Sequence, residues 1–137
     1  MTGEGDSSER FTVSIGLHES FIVAHATGEL DHQCANLLHR QVKDAWQVAP
    51  YAGLVLDLSG LTFCDSMGVG VLVLLLNQSR EQGSPLVLSS VPGRLDRILA
   101  VTGLREFFLI EPSVEAAIQA AAAAVTDAAG EGDAPRT

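Results

Sequence analysis

Gly60-Leu-Thr-Phe-Cys-Asp-Ser-Met-Gly-Val-Gly-Val-Leu-Val73 is the stretch around which the rest of the chain falls into order. Just upstream, Leu54-Val-Leu-Asp-Leu58 is an apolar run broken by one acid, which reads as a buried strand. Downstream, Val69 to Leu76 is apolar apart from Gly70. Asn77, Arg80, Glu81, Gln82 and Gly83 then give the pattern a polar end and a glycine stop, which predicts a helix. Ser66 therefore falls where a strand hands over to a helix. Free N–H groups and the helix dipole at such a terminus favour negative charge, so a phosphate on Ser66 would be well placed. Two readings stand side by side: Asp65 or Ser66 caps the helix, or Ser66 is a regulatory phosphate acceptor.

Composition narrows the class. A chain of 137 residues has room for one domain with a real core and not for two ordinary ones. Hydrophobic residues make up 47% and aromatics 5%, so Leu, Val, Ile and Ala must build the core. Seventeen acids against eight bases give a net charge of -9, with Lys and Arg scattered. That argues against a nucleic-acid surface and against direct attraction to an anionic membrane. Cys34 and Cys64 have no Cys-x-x-Cys spacing, and no signal peptide or apolar run of spanning length is visible. A reducing cytoplasm is the expected setting.

Met1 to Arg10 reads as a loose polar leader. Phe11 to Gly16 and Phe21 to Ala26, around His18-Glu-Ser20, read as an antiparallel hairpin, and Gly28-Glu-Leu-Asp31 as the turn that ends it. A helical pattern runs from His32 to about Val48 and stops at Pro50. After the central strand and helix come a strand at Leu86–Ser89 and a helix over Pro92–Val101. A strand at Phe107–Ile110 and a helix from Pro112-Ser113 to about Val125 complete the series. Residues 126–137 read as a flexible tail. The alternation predicts one α/β domain over 11–125: a mixed, mostly parallel sheet with an N-terminal hairpin, packed against about four helices.

Three blocks resemble the anti-sigma factor antagonists, the bacterial branch of the STAS domain family. Gly28-Glu-Leu-Asp31 is similar to the family's Gly-Glu-[Ile/Leu]-Asp. Val55 to Gly70 is similar to its central strand and Asp-Ser-[Ser/Thr]-Gly signature. Arg94 to Leu104 is similar to its later Arg-led helix ending in Thr-Gly-Leu. The resemblance covers roughly Phe11 to Val125 and implies a function. The serine after the Asp, here Ser66, would be phosphorylated by an anti-sigma factor that is also a serine kinase. The unphosphorylated form would bind that kinase and release a sigma factor, and a PP2C-type phosphatase would restore it. Asp31, Asp65, Ser66, Met67, Gly68 and Arg94 would form the partner-facing surface. Met67 departs from the family pattern, which commonly has Ser or Thr there. That substitution supports an alternative, a scaffold or subunit of a multiprotein or membrane-associated complex in which Ser66 is never modified.

Other residues carry plainer expectations. Asp31 should cap a turn or the first helix, and Glu29 should be a solvated turn acid. Asp57, inside an apolar strand, needs hydrogen-bond partners if buried. Arg94 should pair with a nearby acid or face a partner, and Trp46 should pack. His32 and His39, seven apart, supply only two ligands of one face, short of any zinc site. Cys64 reads as a small buried hydrophobe, with no base and oxyanion site to make it a nucleophile. Gly68-Val-Gly70 lacks the lysine of a nucleotide-phosphate loop. A non-enzymatic protein without cofactor or metal, acting as a monomer, is the expectation.

Overall fold

A computed structural model describes the backbone of residues 10–48 and 52–133, and the side chains of residues 10–47 and 52–125. The elements are β1 (Phe11–His18), β2 (Phe21–Leu30), α1 (Ala35–Val48), β3 (Gly53–Cys64), α2 (Ser66–Glu81), β4 (Leu86–Ser89), α3 (Gly93–Val101), β5 (Leu109–Glu111) and α4 (Val114–Asp133). They form one sheet in the order β1-β2-β3-β4-β5. The hairpin β1–β2 is antiparallel, and each later pair is parallel.

Because each parallel strand is laid beside the one before it, crossovers of one hand put their helices on one face. That face holds α1, α2 and α3, whose Leu38, Val42, Leu72, Leu75, Leu95 and Leu99 pack with Leu54, Leu56, Leu58 and Leu88. Strand alternation sends Val55 and Val87 the other way, where Ala117 and Ala121 of α4 cover them. Leu54, Leu56 and Leu58 on one face and Val55 on the other are all apolar because both faces are covered, with Asp57 the one break in the run.

The sequence reading holds for element order, sheet type and helix number, and departs at several ends. β2 runs through Gly28 to Leu30 instead of turning there. Gly28 takes φ +106°, beside a register shift between β2 and β3, and a Cβ at this position would collide with the Arg10 carbonyl. β3 likewise continues to Cys64. Its last residues pair with β2 alone, since β4 meets only Leu54 to Asp57. Backbone pairing of this kind leaves no apolar alternation to read. A short 3-10 turn, Arg105–Phe107, takes the place of the start of the expected last strand, and Phe107 is exposed. α1 starts at Ala35, after a turn, and α4 continues past Val125 to Asp133, into the expected tail. Arg10, read as leader, is bonded to the domain. Residues 1–9 and 134–137, with the helix stop at Pro50, lie outside the described residues. Among those described, no helix is long and apolar enough to cross a membrane.

The core arrangement predicts a sharp contrast between two leucines. Leu56 is fully buried and Leu74 is 40% exposed. Leu56→Ala should cost about 2–5 kcal/mol in a denaturant titration, while Leu74→Ala should stay within about 0.5 kcal/mol of wild type. Similar losses at both positions would contradict the packing described.

Candidate functional site

β3 carries the chain to Cys64, and Asp65 then turns it into α2 with an extended backbone, φ -99° and ψ -172°. Asp65 is the N-cap: its Oδ1 accepts from the Gly68 amide at 3.0 Å, and its carbonyl accepts from the Val69 amide. Of the two capping candidates, the structure selects Asp65. Ser66 is left as the first helical residue, exposed, with no hydrogen bond from its hydroxyl among the described residues. Met67 beside it is 55% exposed, and Phe63 adds a second exposed apolar side chain.

The second oxygen of Asp65 reaches across the molecule. Oδ2 accepts from the His32 amide at 3.1 Å, and the Asp65 amide donates to the Leu30 carbonyl at 3.2 Å. The junction between β2 and α1 is thereby joined to the start of α2. Gly68 permits the close approach. A Cβ there would lie 2.5 Å from the Leu30 carbonyl oxygen and 2.7 Å from Cys64 Sγ. Gly68 is buried, so it shapes the site through its missing side chain.

Asp31, next to this junction, is buried to 8% exposure. Its Oδ1 accepts from the Gln33 and Cys34 amides at 3.0 and 3.1 Å, so it organises the turn into α1 as expected. Its other oxygen takes a hydrogen bond from Arg10, which also pairs with Glu29 at 3.1 Å. The Arg10 hydrogen bond chiefly holds the Asp31 carboxyl down at about 2, against the opposing effect of burial, with the turn amides helping. Glu29 is thus an ion-paired strand residue instead of a free turn acid. Sequence reasoning missed Arg10, although a signal existed. With Phe11 opposite Gly28 in the hairpin, the residue before Phe11 must fall beside Glu29.

Arg94 is exposed at the start of α3, on a groove of about 190 Å³ lined also by Leu61, Thr62, Phe63, Cys64, Pro92, Leu95 and Ile98. The expected salt bridge to a nearby acid is absent among the described residues; on α3 it is Asp96 that pairs, with Arg105 at 2.8 Å. The groove places Arg94 on the same side of the fold as Cys64, two residues before Ser66. Burial, reinforced by the charge of Asp65, pushes the Cys64 thiol up to about 11, which makes it a poor nucleophile.

Asp57 finds its partners at the end of the sheet, accepting from the Ser59 amide at 3.0 Å and lying 2.7 Å from His25 Nδ1. Burial opposes its charge, but those bonds outweigh it and keep the carboxyl below its ordinary value. His39 bonds Gln78 at 3.2 Å and Trp46 is buried in the core. No cluster of three or more His, Cys, Asp or Glu side chains suited to a metal occurs among the described residues.

Two measurements check this geometry. A carboxyl NMR titration should find Asp31 ionising near pH 2, and Arg10→Ala should let it climb toward about 4, the ordinary carboxylate value. Because the folded value is depressed, the stabilisation is present above the unfolded carboxylate pKa and lost as pH falls through the folded one. Gly68→Ala should destabilise by about 1–3 kcal/mol through overpacking. An unshifted Asp31 in the arginine variant, or an alanine tolerated at position 68 without loss, would contradict the arrangement.

Comparison with known proteins bears on the family and the fold. The family model described as STAS domain matches residues 13–117. The anti-sigma-B factor antagonist of Bacillus subtilis is 28% identical over 107 residues, covering 78% of this chain and 96% of its own. An anti-sigma factor antagonist from Mycobacterium paratuberculosis superimposes with a TM-score of 0.70 at 26% identity, covering 85% of this chain and 98% of its own. The Bacillus cell fate determinant SpoIIAA in its phosphorylated form shares the fold, with a TM-score of 0.62 at 19% identity over 80% of this chain and 97% of its own. With a family match over most of its length, the chain belongs to the STAS-domain family of anti-sigma factor antagonists.

Proposed function

We propose that this antagonist is switched by phosphorylation of Ser66. The unphosphorylated protein, a cytoplasmic monomer, binds an anti-sigma factor with serine kinase activity and so releases a sigma factor. Phosphorylation ends that binding, and a PP2C-type phosphatase reverses it. The observation that carries the reading is the exposed hydroxyl of Ser66, unbonded among the described residues, whose capping duty has passed to Asp65. A kinase can take up this serine without unfolding the helix. That the same fold is known in a phosphorylated SpoIIAA adds support.

The switch needs only electrostatics. Phosphoserine adds a charge of about -1.5 to -2 beside Asp65, on a chain whose net charge is already -9. Inside the protein, the free N–H groups of α2 can accept that charge. Pressed into an interface, it must be paired or bear its desolvation cost. Losing about 3 kcal/mol of binding lowers affinity more than about a hundredfold. In the unphosphorylated state Met67 and Phe63 offer apolar contact, Arg94 offers an exposed cation with no acidic partner among the described residues, and Asp31, Asp65 and Gly68 hold the surface in shape.

Met67 favours a second reading. It stands where the family commonly carries a hydroxyl, and a constitutive scaffold that binds without being modified would need no such group. Titrating the anti-sigma kinase with wild type, Ser66→Ala, Ser66→Asp and phosphoserine protein separates the two. The switch predicts tight binding by wild type and Ser66→Ala, weaker binding by Ser66→Asp and the weakest by phosphoserine protein. Equal affinities across the four, with folding verified by circular dichroism, would establish the scaffold.

A further inference from the structure

We propose that Arg10 is a positioning residue for the Ser66 turn: its guanidinium fixes the segment between β2 and α1, and that segment holds the Asp65 cap. The inference deepens the reading of Ser66 as the regulated residue and rests on it for its functional meaning, though not for its geometry.

Arg10 comes immediately before β1, far in sequence from the switch, yet its head group reaches successive side chains of the segment that the switch leans on. It donates to Glu29, to Asp31 and to Gln33, and passes 3.8 Å from Cys34 Sγ. Its carbonyl accepts from the Glu29 amide at 2.8 Å. A planar guanidinium with five donors can serve several acceptors at fixed angles, whereas an ammonium acts as a point charge. Lysine at this position is therefore not an equivalent.

The residues between those anchors are the ones that hold Asp65. Leu30 supplies the carbonyl that receives the Asp65 amide, and His32 supplies the amide that reaches Asp65 Oδ2. Arg10 grips positions 29, 31 and 33; Asp65 is bonded to 30 and 32. Asp65 then sets the first turn of α2 through the Gly68 amide. A continuous chain of hydrogen bonds thus runs from Arg10 to the turn that presents Ser66.

Charge acts in the same direction. The turn gathers Glu29, Asp31 and Asp65, and Arg10 is the permanent cation bonded to the first two. Removing it leaves these carboxylates to repel one another and the segment free to move. The Glu29 pair is exposed on both sides, at 37% for Arg10 and 46% for Glu29, and contributes little stability by itself. The Asp31 pair is the shielded one, with that side chain 11% exposed. The effect of Arg10 is therefore local geometry more than global stability.

Amide hydrogen exchange on the full chain, comparing wild type with Arg10→Ala, Arg10→Lys and Asp31→Asn, tests this. In Arg10→Ala the His32, Asp65 and Gly68 amides should exchange about tenfold faster, with the core amides of Leu56 and Leu88 unchanged. Arg10→Lys should fall between, and Asp31→Asn should reproduce the alanine pattern. Acceleration confined to Gln33 and Cys34 would show that the influence stops at Asp31 and would overturn the proposal. Equal acceleration in the core would reduce Arg10 to a general stabiliser and overturn it as well. Phosphorylation of Ser66, read separately by intact mass, judges the functional reading; the exchange pattern judges Arg10 whichever way that falls.

Discussion

The two oxygens of one carboxylate decide how this molecule presents Ser66. Asp65 gives Oδ1 to the Gly68 amide of α2 and Oδ2 to the His32 amide ahead of α1. A helix start needs its free amides satisfied, and here an acid from the end of β3 satisfies one donor in the first turn of α2 and another in the turn that leads into α1. The neighbouring serine is thereby released from capping. Gly68 follows from the same constraint, because only a residue without a Cβ lets α2 sit this close to Leu30 and Cys64.

The sheet places this junction. β2 and β3 run parallel and extend together beyond the part of the sheet that β4 reaches, so their carboxyl ends deliver Leu30 and Cys64 side by side. The turns that follow meet at that edge, where open α/β sheets commonly carry their sites. Rigid strands thus hold a short turn, and the turn holds a serine. A phosphate there would change charge at a fixed place without any need to rearrange the core. The acidic surroundings sharpen the change, since a phosphate would add to a chain already at -9.

Much of this could be read from the residues. Leu54 to Leu58 is apolar but for Asp57 because both faces of β3 are covered, and the polar end and glycine stop after Leu76 mark α2. The Asp-Ser turn between them is local chemistry, and local chemistry is what a sequence displays. The choice between Asp65 and Ser66 as cap was not readable, since both residue types cap well and only backbone geometry selects. Arg10 and Glu29 were misjudged because their pairing comes from strand register, which shows only once the hairpin is aligned. The ends of β2 and β3 were placed too early for a related reason: their last residues are held by backbone bonds and register shifts, not by an alternating apolar face. Arg94 was expected to have an acidic neighbour, yet on its own helix the acid turned toward Arg105.

The central claim is that Asp65 frees Ser66 to accept a phosphate. It is tested most directly by intact-mass measurement and fragment mapping after incubating the full chain with ATP and the anti-sigma kinase proposed as its partner. The account predicts a single phosphate, located on Ser66 and absent from Ser66→Ala. A wild-type chain that takes up no phosphate, or takes it up at another residue, would contradict it.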